Sequence, residues 1–144
     1  RQNSHGEAGV VAIFCEAMLS GQQPVIFGAE RLGDGGCLRD YVYVGDIARA
    51  NLLALGSGDG KVLNIGTGVE TSTLILYKII AAELGFPGTP EHRGPRVGDL
   101  LRSVLNVNLA TTVLGWRPEN SIEAGLARTI AFYESAATKC RVTD

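Results

Sequence analysis

The sequence predicts an α/β fold (α+β for the chain in isolation), built as a small sheet with flanking helices. Short apolar runs of strand length alternate with segments whose apolar residues recur at helical spacing, and glycine turns separate the two kinds of segment. With 144 residues, 45% hydrophobic and 19% charged, the chain can bury a core and has the composition of a folded protein. We expect one domain over residues 1–135 and a tail over 136–144.

Five segments make up the first half of the predicted fold. The strand that contains Tyr41 is predicted from alternating aromatic and β-branched residues, which are typical of a half-buried strand. In chain order, the segments are a helix over 10–19, a strand over 24–27, an exposed glycine-rich loop over 28–37, a strand over 38–44 and a helix that opens at Asp46.

The second half continues the alternation of strands and helices. The expected elements are a strand over 61–65, a helix capped by Thr71 or Ser72 and ending at Leu84, an irregular proline-rich segment over 86–99, a strand over 100–105, a brief helix from Asn106 to Gly115, and a last helix capped by Ser121. The last helix carries an apolar stripe at core spacing, formed by Ile122, Leu126, Ile130 and Tyr133.

Charge and composition exclude several classes of partner. A net charge of −2 gives no overall attraction for nucleic acid, so we expect no nucleic-acid partner. The apolar run over 10–19 is broken by Glu16 and is short of the ~20 residues that span a bilayer, so we expect no membrane partner. Three widely spaced cysteines indicate reduced thiols and a cytoplasmic protein. Neither His5 nor His92 has a second ligand at metal spacing, so no metal site is predicted.

Two arginines and an aspartate are the candidates for anion and hydroxyl binding. Arg39 follows the glycine-rich loop, and Arg96 opens the Pro-Arg-Val-Gly-Asp turn that ends at Asp99. A guanidinium presents a fixed fork of donors that matches phosphate oxygens, so arginines from separate loops can clamp a pyrophosphate. A carboxylate can accept both hydroxyls of a ribose. At this point the alternatives stay open: each arginine could pair with a surface carboxylate, and the aspartate could simply stabilise its turn.

The Gly66-Thr67-Gly68 turn follows a predicted strand and precedes a helix, which is where a phosphate loop would lie. The third glycine of a dinucleotide fingerprint is missing, and no acidic residue ends a strand about 20 positions on. A glycine turn that feeds the cap at Thr71 explains the pattern better.

Six segments in a fixed order carry a resemblance to a known family: residues 6–14, 25–28, 39–46, 63–68, 96–99 and 114–118. They resemble the C-terminal half of the NAD-dependent epimerase/dehydratase family, the extended short-chain dehydrogenases, and the likeness is closest to UDP-glucose 4-epimerases. It extends from Arg1 to about Ser135, and Arg1-Gln2 looks like the end of the family's Tyr-Gly-Pro-Arg-Gln segment.

The resemblance implies that the chain binds the UDP part of a UDP-sugar. Arg39 and Arg96 match the family's two arginines on the pyrophosphate, and Asp99 matches the carboxylate near the ribose. Because these are the same residues that the spacing singles out, the resemblance assigns a ligand to them.

Five further positions are carried over from the family as substrate-binding residues. Val25 and Phe27 match the edge that holds the uracil, with Phe27 as a packing face. Gly9 and Val10 match a loop and helix start that contribute backbone groups to the nucleotide. Ser103 falls beside the hexose, where a small residue leaves room for an N-acetyl group.

The redox half of the family's site has no counterpart in the sequence. The family's glycine-rich NAD turn and Rossmann core are absent, and no tyrosine has a lysine four residues later. In the family that tyrosine is the base for hydride transfer, and the lysine lowers its pKa. We therefore expect the chain to bind no cofactor itself and to be inactive alone, whereas the parent enzyme uses NAD to interconvert C4 epimers of UDP-hexoses. Dehydratase or decarboxylase parents remain open, and so does a stand-alone, non-catalytic nucleotide-sugar-binding module.

The same resemblance predicts an exposed apolar face. In the family, the helix after Asp46 and the strand over 61–65 dock against the cofactor domain. Without that domain their apolar residues are expected to be exposed and to favour self-association or docking to a cofactor-binding half. The residues of this expected face are Ile47, Leu53, Val62 and Ile65.

Overall fold

The structure is a computed structural model that describes residues 9–28 and 34–142, with side chains described as far as Ala137. Within these residues it confirms the α/β class, with helices packed around two very small sheets. The elements are α1 Val10–Leu19, β1 Val25–Phe27, β2 Leu38–Arg39, α2 Val44–Ala54, β3 Thr71–Ser72, α3 Thr73–Leu84, β4 Glu91–Arg93, β5 Arg102–Ser103, α4 Asn108–Leu114 and α5 Ile122–Val142.

The strands pair in two separate sheets. β1 runs parallel to β4, with Ile26 opposite His92. β2 is the central strand of the other sheet, antiparallel to β3 and parallel to β5. Arg39 of β2 therefore lies beside Thr71 on one side and Ser103 on the other. This pairing brings the start of α3 next to β2, which carries the predicted ligand-binding residue Arg39.

The main core lies where α1, α3 and α5 pack against one another and against Ile26 of β1. Phe14 of α1 is fully buried, and its ring meets that of Tyr77 edge to face with centroids 6.0 Å apart. The predicted stripe of α5 is confirmed: Leu126, Ile130 and Tyr133 are buried, and Ile122 packs against the cluster.

A second, smaller core cluster lies between α2 and α4 and contains the fully buried ring of Trp116. The indole N–H of Trp116 donates to the backbone oxygen of Asp46 (3.0 Å). The Asp46 carboxylate is also buried and accepts bonds from the backbone N–H groups of Glu119 (3.1 Å) and Asn120 (3.2 Å), and from the Asn120 amide (3.1 Å). Burial alone would raise the pKa of Asp46, but these hydrogen bonds outweigh burial and the pKa is lowered.

Several predicted helix ends are confirmed. The Ser72 hydroxyl accepts from the N–H of Ile75 (3.2 Å), and Gly85 ends α3 in the left-handed region at φ 62°. Ser121 receives the N–H of Ala124 in the same way at the start of α5 (3.2 Å). α5 runs through residue 135 as far as Val142, and the domain limits predicted above remain an expectation.

The predicted strand over 38–44 is wrong in its length. Only Leu38–Arg39 pairs in a ladder, and Val44 already begins α2, two residues before Asp46. The reason is that no described strand offers its backbone to residues 40–43, and Asp40 instead turns its carboxylate to backbone N–H groups of the 66–68 turn.

Three further element predictions need correction. Residues 61–65 form no strand, because no described strand pairs with them and a ladder requires a partner's backbone. The segment over 86–99 is not wholly irregular, since Glu91–Arg93 pairs with β1. Only Arg102–Ser103 of the strand predicted over 100–105 pairs with β2.

The loop and the brief helix also differ from expectation. In the loop predicted over 28–37, residues 29–33 lie outside the described residues, and Cys37 is buried rather than exposed. α4 begins at Asn108, and Asn106 accepts the N–H of that residue on its side-chain oxygen (3.1 Å).

Candidate functional site

One cleft of about 250 Å³ collects most of the predicted site. Six of the eight predicted site residues line it. They come from four parts of the chain: the start of α1, strand β1, strand β2 and the turn over 96–99. The lining residues are Val10, Val25, Phe27, Cys37, Arg39, Tyr41, Thr73, Arg96 and Asp99.

Strand geometry explains how β1 serves both the cleft and the core. Successive side chains of a strand point to opposite faces. Ile26 points into the core and is fully buried, so Val25 and Phe27 both point to the cleft, where they are half-buried.

The turn over 96–99 places Arg96 and Asp99 face to face. The N–H of Asp99 donates to the backbone oxygen of Arg96 (3.0 Å), and Gly98 has φ 88°, a value that L side chains rarely adopt. The Asp99 carboxylate accepts from the backbone N–H of Arg96 (3.0 Å) and from its guanidinium Nε (3.2 Å) and Nη2 (3.3 Å). Both alternatives left open by the sequence are thus realised here: Arg96 pairs with a carboxylate, and Asp99 stabilises its turn.

The electrostatics of the cleft are dominated by its two arginines. The hydrogen bond from the Arg96 guanidinium lowers the pKa of Asp99, and the backbone N–H of Arg96 and the charge of Arg39 act in the same direction. Arg39 donates from Nη1 to the oxygen of Leu38 (2.9 Å) and forms no ion pair with any residue in the described part of the chain. The wall formed by β2 therefore carries a positive charge that acts on Asp99 across the cleft but forms no direct ion pair with a described carboxylate.

The predicted packing face of Phe27 is in contact with a cation in this structure. The guanidinium carbon of Arg96 lies 4.6 Å from the centre of the Phe27 ring. Arg96 thus joins the apolar and the charged sides of the cleft.

Three lining residues were not predicted from the sequence: Cys37, Tyr41 and Thr73. A signal existed for the first two, since Cys37, Arg39 and Tyr41 alternate along the chain. Thr73 arrives through the pairing of β2 with β3, and its hydroxyl donates to the oxygen of Cys37 (3.1 Å). Burial raises the pKa of Tyr41, and the charge of Arg39 and a hydrogen bond with Thr73 offset part of that rise.

Two predicted residues do not line the cleft. Gly9 immediately precedes Val10 and accepts the N–H of Ile13 on its oxygen at the start of α1 (3.2 Å). Ser103 is exposed on β5, directly beside Arg39 in the ladder. Its neighbour Arg102, the third arginine of this region, pairs with Glu70 outside the cleft.

The Gly66-Thr67-Gly68 turn binds an anion from within the chain. The carboxylate of Asp40 accepts from the N–H of Thr67 (2.7 Å), the hydroxyl of Thr67 (2.6 Å) and the N–H of Gly68 (2.8 Å). A Cβ on Gly66 would lie 2.7 Å from the same carboxylate, which explains the glycine there. Because these N–H groups are already bonded to Asp40, the turn does not fit the phosphates of NAD.

A second cleft of about 360 Å³ lies between α1, α5 and the segment over 41–44. Its lining is mainly apolar, and Tyr41 is shared with the first cleft. Within residues 9–28 and 34–142, no group of three metal-ligating side chains occurs, and no helix is long and apolar enough to cross a bilayer.

Comparison with known proteins gives consistent matches. A model of the NAD dependent epimerase/dehydratase family matches residues 1–66. The UDP-glucose 4-epimerase of Mycolicibacterium smegmatis is 48% identical over 136 residues, which is 94% of this chain and 42% of that protein. The chain therefore spans about two fifths of the length of this relative.

Solved structures agree in fold as well as in sequence. The Thermotoga maritima UDP-glucose 4-epimerase with UDP-glucose is 45% identical with a TM-score of 0.87, over 95% of this chain and 43% of that one. The Thermus thermophilus UDP-glucose 4-epimerase in complex with NAD is 43% identical with a TM-score of 0.82, over 94% of this chain and 43% of that one. Together with the six ordered motifs and the α/β fold, these matches show that the chain belongs to the NAD-dependent epimerase/dehydratase family.

Proposed function

We propose that the chain is the UDP-sugar-binding portion of a UDP-glucose 4-epimerase-like enzyme, with the cleft around Arg39 and Arg96 as the nucleotide site. One observation carries the proposal: two arginines from separate elements share a cleft with an aromatic ring and a carboxylate. The relatives described as UDP-glucose 4-epimerases support the choice of ligand.

The charged part of the cleft suits a diphosphate. Arg39 is half-buried on β2 and has no described carboxylate partner, so its charge is available to an entering anion. Arg96 faces the same cleft from the turn over 96–99, and a second guanidinium allows phosphate oxygens to be held from two directions.

The apolar part of the cleft suits a nucleobase. Val10, Val25 and Phe27 form half-buried walls on α1 and β1, next to the arginines. A planar base placed against Phe27 would exclude water from an aromatic face, which is a common way of holding such rings. Asp99 lines the same cleft, and its carboxylate could accept the hydroxyls of the ribose that connects base and phosphate.

The chain alone is proposed to bind without turnover. The residues four positions after the tyrosines are Gly45, Ile47, Ala81 and Ala137, so the tyrosine–lysine pair of the family is missing. We infer that the parent enzyme interconverts C4 epimers of UDP-hexoses and that these residues supply its nucleotide clamp. The rival proposal is a stand-alone binding module. A coding sequence upstream of Arg1 that contains Tyr-x-x-x-Lys favours the parent enzyme, and a start codon just upstream favours the module.

Titration calorimetry with UDP tests the clamp. We expect Arg39→Ala to weaken binding by about 10- to 150-fold, because a charged hydrogen bond contributes about 1.5–3 kcal/mol and each 1.4 kcal/mol is about tenfold in affinity. Arg96→Ala should cost about threefold, since its guanidinium is more exposed and solvent screens it.

Arg102→Ala is the matched control. It removes an arginine of the same region that pairs with Glu70 outside the cleft, so UDP affinity should stay within experimental error. Unchanged UDP affinity after removal of both Arg39 and Arg96 would refute the assigned roles. Loss of affinity in Arg102→Ala equal to that in Arg39→Ala would show a general charge effect instead.

A further inference from the structure

The Arg96–Asp99 contact places an anion where the proposed clamp should receive one. Two of the donor nitrogens of Arg96, Nε and Nη2, lie 3.2 and 3.3 Å from the two oxygens of the Asp99 carboxylate. This is the two-pronged arrangement in which a guanidinium also holds a phosphate. The same guanidinium lies over the ring of Phe27.

We propose that Asp99 is an internal competitor for Arg96, so that a phosphate anion occupies the cleft only by exchanging the Arg96–Asp99 contact for an Arg96–phosphate contact. The proposal rests on the proposed function of the cleft and adds a selection step to it. Arg39, which has no described carboxylate partner, remains the cation that attracts the anion first.

The exchange needs only side-chain rotation. The partners of Asp99 that the structure shows all come from Arg96, three residues away in the same turn. The turn keeps its own backbone bond from the Asp99 N–H to the Arg96 oxygen, together with the glycine conformation at Gly98. The Arg96 side chain is 65% exposed, so beyond its contact with the Phe27 ring no packing contact has to be broken.

The competition also selects among anions. Once Arg96 turns to a phosphate, the Asp99 carboxylate is left without its cation beside a second negative charge, which is unfavourable. A ligand that presents hydroxyl donors next to its phosphates can satisfy that carboxylate, whereas a bare anion cannot. The cleft should therefore favour a diphosphate ester with neighbouring hydroxyl groups over inorganic pyrophosphate.

Calorimetry with pyrophosphate and with UDP on the full chain tests the competition. Asp99→Asn keeps an oxygen for the Arg96 N–H but removes the charge that holds the guanidinium. We expect it to tighten pyrophosphate binding roughly fivefold, the upper end for an ion pair whose arginine is largely exposed. The preference for UDP over pyrophosphate should fall, because the asparagine no longer penalises the bare anion.

A double-mutant cycle separates competition from simple repulsion. In an Arg96→Ala background the guanidinium is gone, so Asp99→Asn should give less than half of the logarithmic gain seen with Arg96 present. Glu91→Gln is the matched control, because it removes the carboxylate of another exposed arginine pair, with Arg93, outside the cleft lining. It should leave pyrophosphate affinity unchanged. Circular dichroism and thermal midpoints verify that each variant is folded.

The outcomes separate this proposal from the function on which it rests. If pyrophosphate binds the wild type but Asp99→Asn brings no gain, or the same gain without Arg96, the competition is refuted and the clamp stands. If pyrophosphate and UDP bind neither the wild type nor Asp99→Asn, the clamp is refuted together with the competition. A gain that depends on Arg96 supports both.

Discussion

Replacing Asp46 by alanine should destabilise the fold by about 3–5 kcal/mol, because three N–H groups lose their acceptor at a cost of about 1–3 kcal/mol each. Asp46 is 1% exposed, and its carboxylate accepts three hydrogen bonds of 3.1–3.2 Å from Glu119 and Asn120. Each such bond to an ionised acceptor contributes about 1.5–3 kcal/mol, and the desolvation of the carboxylate offsets part of the sum. The expected loss is a large share of the ~5–15 kcal/mol that stabilises a typical domain.

Urea unfolding followed by tryptophan fluorescence measures this loss. Trp116 is the only tryptophan of the chain, is fully buried and bonds to the backbone oxygen of Asp46, so it reports on the same region. Asp46→Asn keeps one acceptor oxygen and should lose about half as much stability as Asp46→Ala. Asp59→Asn, which removes an exposed aspartate, is the control for the change in net charge and should have little effect.

The pH dependence of the unfolding free energy tests whether Asp46 acts as a charged group. The folded-state pKa of Asp46 is lowered, so its contribution is complete above the unfolded pKa near 4 and is lost as the pH falls through the folded pKa. The difference in unfolding free energy between the wild type and Asp46→Asn should therefore shrink below about pH 4. A difference that stays constant from about pH 7 to about pH 3, or a loss below about 1 kcal/mol in Asp46→Ala, would refute the assignment of Asp46 as a charged anchor.

Two further predictions concern the turn at Asp40 and the face of α2. Asp40→Ala should destabilise the fold by about 2–3 kcal/mol in the same urea assay, because the N–H groups of Thr67 and Gly68 lose their acceptor; stability equal to the wild type would contradict this. Leu52 lies on α2 and Leu55 follows its last residue, and their side chains are 69% and 85% exposed. The chain should self-associate through these two side chains, and replacing both by lysine should shift the sedimentation coefficient towards that of a monomer. A wild type that sediments as a monomer at high concentration would count against the second prediction.

The apolar face expected from the sequence is only partly the face that the structure exposes. Val62 is 91% exposed and Leu53 is 36% exposed, but Ile65 packs against the Trp116 cluster and Ile47 is half-buried. The helical period of α2 can be read from the sequence, but the position of Trp116 beside it depends on contacts that are distant in the chain. The self-association surface is therefore redefined around α2 and remains a proposal.

Local signals were sufficient where the structure is decided locally. α3 begins after Ser72 and ends at Gly85 as expected, because a hydroxyl cap and a left-handed glycine act within one turn of the helix. Strand lengths were not predictable in this way. Whether residues 40–43 continue a strand depends on a partner strand distant in the chain, and the ladders on both sides of β2 end at Arg39.

The site also combines residues that local signals predict with residues that depend on contacts distant in the chain. The ordered motifs led to Arg39 and Arg96, and alternation along the chain contained a signal for Tyr41, but Thr73 enters the cleft only through the pairing of β2 with β3. The sequence left open that Arg96 pairs with a surface carboxylate and that Asp99 stabilises its turn, and the contact between the two side chains realises both. The turn geometry decides it, because the left-handed Gly98 returns the chain so that residue 99 faces residue 96.

Asp40, Asp46 and Asp99 accept hydrogen bonds from partners of different origin, and that origin distinguishes what each can do. Asp46 and Asp40 hold segments that lie more than twenty residues away, so either could release those partners only by loosening the tertiary structure. Asp99 holds the arginine of its own turn, whose side chain is largely exposed and also lines the cleft. It is therefore the one aspartate among these three whose partner can be exchanged for a ligand without unfolding any element, which is why selection between anions is assigned to it.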